Sequence, residues 1–141
     1  MPFLLDINVE SELMRKYPSP TVENWISGLR MDSSYFSTIS ETELRYGVAI
    51  LITGRRQRTL IADTERMLEE AFPGRILPFD RVAVVSYTYI ASIRRKADRP
   101  FSTVDCQIAA IGRARNLTVA TRNFRDFEGM EIELVDPWLT S

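Results

Sequence analysis

Brief apolar runs that stop at a polar residue alternate along the whole chain with longer stretches whose apolar residues recur at helical spacing. Pro2 to Asp6 reads as a short buried strand, an apolar Phe3-Leu4-Leu5 run that halts at Asp6 and passes into a helical stretch with Asn8 read as its N-cap. Val22, Trp25, Ile26 and Leu29 follow a Pro-Ser-Pro segment at helical spacing, which predicts a helix over 21–31. A second strand is expected over 35–39. From Ser40 the pattern is helical through Leu44, Val48 and Leu51 to Gly54, and a further amphipathic helix is expected over 56–72, ended by Pro73-Gly74. Residues 75–79 read as a third strand and 82–96 as a long helix whose last turn, Arg94-Arg95-Lys96, suits the negative end of a helix dipole. A helix over 103–115, a strand over 117–120, a single turn over 123–127 and a fifth strand over 132–135 complete the pattern, closed by Asp136-Pro137-Trp138.

Parallel strands need crossover connections, and helices between short strands supply them. The expected fold is therefore α/β, a three-layer α/β/α arrangement around a short central parallel sheet of about five strands. At 141 residues the whole chain, 1–141, reads as a single domain. A chain of that size removes roughly two-thirds of its unfolded surface from water and needs no disulfide or metal to fold. In such sheets ligands bind beyond the carboxyl ends of the strands, so the residues just after each strand are the place to look for chemistry.

Composition then narrows the chemistry. The chain has no histidine, which removes Ser-His-Asp and Cys-His nucleophiles, His-pair RNA hydrolysis and the usual zinc sites. A net charge of −1 excludes binding to nucleic acid by overall charge, so any such contact must be local. No apolar run approaches the roughly 18 residues of a membrane span. The N-terminus lacks the pattern of a signal peptide and the single cysteine, Cys106, has no intramolecular partner, so the expected compartment is cytoplasmic. If the chain is an enzyme, carboxylates carry it.

Those carboxylates follow the strands. Asp6 ends the first, Glu43 lies just beyond the second, Asp126 just past the fourth, and Asp105 opens a helix. If the helix starts near Ser40 and Ser102 face one sheet edge, the four acids share a pocket. Two carboxylates about 4 Å apart repel by about 4 kcal/mol at an effective dielectric near 20, so protons or a cation must relieve such a group. Oxygen ligands without His or Cys favour Mg²⁺ or Mn²⁺, and magnesium chemistry points to phosphate esters. Each acid also has a purely structural explanation. Ser40-Glu41-Thr42-Glu43 and Ser102-Thr103-Val104-Asp105 fit capping boxes, and Asn123 with Asp126 is a near equivalent.

Six segments in order carry a resemblance: Leu4-Leu5-Asp6-Ile7-Asn8-Val9, Glu43-Leu44-Arg45-Tyr46-Gly47, Gly74 to Asp80, Asp105-Cys106-Gln107-Ile108-Ala109-Ala110, Thr118 to Asn123, and Asp136-Pro137-Trp138. Together they resemble the PIN-domain ribonucleases, in the branch of VapC- and FitB-type toxins. The resemblance implies RNA cleavage by an acidic cluster with Mg²⁺ or Mn²⁺, a cognate antitoxin that holds the enzyme inactive, and a homodimer or a dimer of toxin–antitoxin heterodimers. It places Asp6, Glu43 and Asp105 on the family's most regular acids. Asn123 stands where relatives often have Asp, with Asp126 as substitute, and Ile7 replaces a usual Thr or Ser. Asn8 caps the helix or orients Asp6.

Arg45, Arg122 and Arg125 are the candidate RNA contacts near this edge, and Arg94 to Arg99 form a more distant basic run that also reads as a solvated face or dipole partner. Trp25, Tyr87 and Tyr89 fit core positions, Cys106 a buried small hydrophobe. The apolar stripe Val48, Ile50, Leu51 and Ile52 fits a partner surface or core packing equally. Two other readings compete. A haloacid-dehalogenase-like phosphatase also has Asp after its first strand but wants a second Asp where Asn8 stands. A module that only binds RNA or a partner is the other, with Ile7 and Asn123 marking its weakened site.

Overall fold

The structure is a computed structural model that describes residues 2–139. Its strands β1 (Phe3–Leu5), β2 (Ser34–Ser37), β3 (Ile76–Leu77), β4 (Thr118–Ala120) and β5 (Leu134–Val135) form one parallel sheet in the order β3-β2-β1-β4-β5. The helices are α1 (Ile7–Leu13), α2 (Pro20–Ser27), α3 (Thr38–Ala49), α4 (Arg55–Ala71), α5 (Arg81–Lys96), α6 (Thr103–Ala114) and the single turn α7 (Phe124–Phe127).

Successive strand residues point to opposite faces, and β1 shows how this divides the core. Leu4 packs with Val119, Ile90, Ile108 and Ile111 in a layer under α5 and α6, whereas Leu5 packs with Ala120, Val9, Phe36, Leu44, Leu68 and Phe72 under α1, α3 and α4. Phe36 and Phe72 stack at 5.2 Å, and Phe3 meets Trp25 edge-on at 5.0 Å. Gly112 lets α6 settle close on β4, since a Cβ there would lie 3.0 Å from Val119 Cγ2. The three-layer expectation holds.

Several boundaries differ from the sequence pattern. Asp6, not Asn8, is the N-cap of α1, because its side chain accepts from the Ile7 amide at 2.9 Å. α3 begins at Thr38 rather than Ser40, because the Ser37 hydroxyl accepts from the Ser40 amide at 3.0 Å. Glu43 is therefore in the second turn and is not a capping-box residue. α2 stops at Ser27 with Gly28 as its C-cap, and Met31–Ser33 is a 3₁₀ turn. β3 is only two residues, ended by Pro78, which has no amide for a sheet ladder. Ile50, Leu51 and Ile52 lie past the end of α3 in solvent, with Ile52 93% exposed, so they are surface and not core. Tyr89 also lies on the surface, stacked under Arg113 and donating to Glu131 at 2.7 Å.

Candidate active site

Parallel register sets the first two side chains. Leu5 lies opposite Ala120, so Asp6 and Thr121 leave the sheet side by side at its carboxyl edge, with the Asp6 amide on the Ala120 carbonyl at 2.9 Å. The Thr121 hydroxyl donates to Asp6 Oδ2 at 2.8 Å, and Asn8 Nδ2 reaches the same oxygen at 3.4 Å and Thr121 Oγ1 at 3.3 Å. Asn8 Oδ1 in turn accepts from the Arg122 amide at 3.3 Å, and Thr121 Oγ1 accepts from the Asn123 amide at 3.0 Å. Asp6 is thus pinned from two strands' ends while only 3% exposed.

Two helices supply the next acids. α3 carries Glu43, half-buried, with Oε1 out of contact with water and without a hydrogen-bond partner. α6 is capped by Ser102, whose hydroxyl accepts from the Asp105 amide at 3.0 Å and fixes the first turn that bears Asp105. Asp126 sits in α7, exposed, and Asn123 occupies the N-cap position of that turn without a side-chain capping bond.

The four acids share one field. Burial pushes the Asp6 carboxyl above its ordinary range, the bonds from Thr121 and Ile7 oppose this, and the charges of Asp105 and Asp126 add to it. Glu43 is raised by burial and then by Asp6 and Asp105. Asp105 is raised by burial and by Asp126, with Ser102 and Arg94 pulling the other way. Among the described residues no ion pair reaches any of the four. Nor do three Asp, Glu or Cys side chains there close into a metal-holding group as they stand. An oxygen-only donor set with mutual repulsion and an orphaned buried Glu43 oxygen nevertheless suits a hard divalent cation.

The expected RNA contacts divide. Arg45 pairs with Glu41 at 2.8 Å and with Glu65, which ties α3 to α4 and occupies its guanidinium. Arg122 lies over the Trp138 ring at 5.0 Å, and Arg125 is exposed with no ion pair among the described residues. Cys106 is fully buried and its thiol is pushed up to about 11, mainly by burial, as expected of a packing residue.

Sequence reasoning missed two residues. Thr121 is the β4 counterpart of Asp6, a relation that only the strand register displays. Arg94 belongs to the basic run that reads as a distant RNA contact, a solvated face or a dipole partner, yet it is 3% exposed. Its guanidinium donates to the Pro100 carbonyl at 3.1 Å and to the Asp126 carbonyl at 2.8 Å, which holds α7 against the start of α6. The signal available was its place four residues after Ile90 on the buried face of α5.

A PIN domain family model matches residues 3–132. Toxin FitB of Neisseria gonorrhoeae is 36% identical over 96% of this chain and 97% of its own length. A VapC ribonuclease, Y4jK of Sinorhizobium fredii, is 33% identical over 96% of each chain. A solved structure of FitAB bound to the IR36 DNA fragment superposes with a TM-score of 0.92 at 34% identity, covering 99% of this chain and 97% of that one.

Proposed function

The chain belongs to the PIN-domain family, and from that premise we propose that it is a Mg²⁺- or Mn²⁺-dependent endoribonuclease, the toxin of a toxin–antitoxin pair. The observation that carries this reading is four acids that act on one another electrostatically, carried at the end of β1 and on α3, α6 and α7, with no ion pair to any of them among the described residues. The phosphatase alternative loses its ground with the family match, which runs through all but the last segment of the fold.

Asp6, Glu43 and Asp105 would hold the cation, with Asp126 and Asn123 completing the surroundings. When bound, the ion polarises the scissile phosphate and lowers the pKa of water. The chain's own residues do the rest. Thr121 and Asn8 fix the rotamer of Asp6, and the Thr121 bond favours its ionised form against the burial that raises it. Ser102 and Arg94 fix Asp105 and the Asp126 turn. Water attacks in place of the RNA 2′-hydroxyl, so the products carry 5′-phosphate and 3′-hydroxyl ends. The exposed Tyr46, Ile50 and Ile52 offer an apolar face for a partner chain, a second copy or the antitoxin of the proposed pair.

Cleavage of end-labelled RNA with Mg²⁺, Mn²⁺ or EDTA tests the proposal. Wild type should cut only with metal, and Asp6→Asn and Asp105→Asn should each lose cutting while staying folded. RNA binding without cutting under any metal would replace the enzyme by a binding module with Ile7 and Asn123 as its departures. Products ending in 2′,3′-cyclic phosphate would overturn the hydrolytic route.

A further inference from the structure

An acidic edge repels the polyanion it is meant to cut, so RNA must be brought there by cations close by. Such cations line an open cleft of about 830 Å³ where α5 ends and the chain turns into α6, walled by Ala91, Arg95, Asp98, Arg99, Pro100 and Phe101. Among the described residues neither Arg95 nor Arg99 makes an ion pair, and both are exposed. Asp98, in the left-handed conformation at φ 53°, is the one acid on the rim.

The cleft is joined to the acids by the backbone beneath it. Pro100 in its wall accepts from buried Arg94, which also holds the Asp126 carbonyl. Phe101 in the same wall is followed directly by Ser102, the cap of the helix that carries Asp105. Arg99 leans across to the far side: a Cβ on Gly129, at φ 81°, would fall 2.5 Å from Arg99 Nη1. That glycine lies three residues after Asp126. Phe101 is half-buried, packs against the core and lines the cleft.

Two unpaired guanidiniums beside an aromatic ring are the elements by which proteins hold single strands, phosphates on the cations and a base on the ring. Building on the ribonuclease reading above, we propose that this cleft is a second RNA subsite: Arg95 and Arg99 bind backbone phosphates of a single strand, Phe101 stacks a base, and the strand continues onto the Asp105–Asp126 edge. An acidic protein segment would use the cations but leave the ring without a role.

The test measures binding of a twelve-residue uridylate to full-length Asp105→Asn protein with Mg²⁺ across a salt series. Adding Arg95→Glu and Arg99→Glu should weaken binding about tenfold or more and flatten the salt slope by about 1.4, the loss of two single-strand phosphate contacts. Arg55→Glu with Arg56→Glu on α4, an equal change of charge, should leave both within about twofold of the parent. Arg95→Glu alone, which leaves the Arg99–Gly129 contact intact, should give about half the change in slope. In the otherwise wild-type protein, Arg95→Glu/Arg99→Glu should raise KM for RNA more than it lowers kcat.

Failure of the wild type to cut any RNA would strike at the ribonuclease reading itself. Cutting by the wild type, together with equal behaviour of the α5–α6 and α4 reversals, would overturn the subsite alone. Hexaglutamate competing as well as uridylate would assign the cleft to an acidic protein segment and equally overturn it.

Discussion

Thr121 makes the difference between a carboxylate that merely lies at a strand end and one that is aimed. Its hydroxyl donates to Asp6 at 2.8 Å while accepting from the Asn123 amide, so one atom ties the first acid to the turn that bears Asp126. Replacing it with Val keeps the volume and removes these two bonds together with the one from Asn8. Outer partners of metal ligands are typically worth about 10-fold to 100-fold in affinity, so Thr121→Val should need about tenfold more Mn²⁺ for half-maximal RNA cleavage, with kcat at saturating metal much less affected. An unchanged metal titration would leave Thr121 as a packing residue. Glu10 is a different buried acid, in α1, and its carboxyl is pushed up to about 7 by burial. A raised carboxyl favours the folded state below its unfolded value and loses that contribution as pH rises to the folded value, here from about 4.5 to about 7. Wild type should therefore lose stability between pH 5 and pH 8, and Glu10→Gln should lose about 3 kcal/mol less over the same span in urea unfolding. Parallel pH curves would show that Glu10 is hydrated or paired in solution.

At the scale of elements, legibility followed how local the cause was. The Ser102 cap was readable because its bond closes within four residues, from the Asp105 amide back to the Ser102 hydroxyl. The start of α3 was not, because Ser37 and Ser40 are both good caps three residues apart and the choice lies with β2. Pairing with Leu77 carries Ser37 to the sheet's end, so the chain turns there, and Ser40 is left buried with its hydroxyl unpartnered. Arg94 shows the same limit. Charge marked it as surface, but the α5 face that buries Ile90 buries it too, and two carbonyls from later segments make the burial tolerable. Because the α6 cap orders the turn that carries Asp105, Ser102→Ala should cost about 1 kcal/mol and also reduce cleavage. Ser102→Asp, which can still cap, should recover stability but add a charge beside the acids and raise the Mg²⁺ dependence. Recovery of stability without any change in metal response would separate the cap from the site.

For the whole molecule, the folded state is held against its own acids. Burial first, and neighbouring charge after it, raise Asp6, Glu43 and Asp105, so each opposes folding once pH exceeds its unfolded value near 4. The metal-free protein should be more stable at pH 5 than at pH 8, by the same sign as Glu10 but at the opposite end of the metal response. A divalent cation binds the ionised group and not the unfolded chain, so Mg²⁺ at about 100 times its Kd should add about 2.7 kcal/mol at pH 8. For a domain of this size that corresponds to about 10 °C in Tm. Protons compete for the same oxygens, so the gain should shrink at pH 5, and it should be largely absent in Asp105→Asn at either pH. Glu10→Gln, which lies outside the coupled group, should keep the full Mg²⁺ response. A Tm shift of equal size in wild type and Asp105→Asn would place the ion elsewhere on the surface and remove the physical basis for reading the four acids as one site.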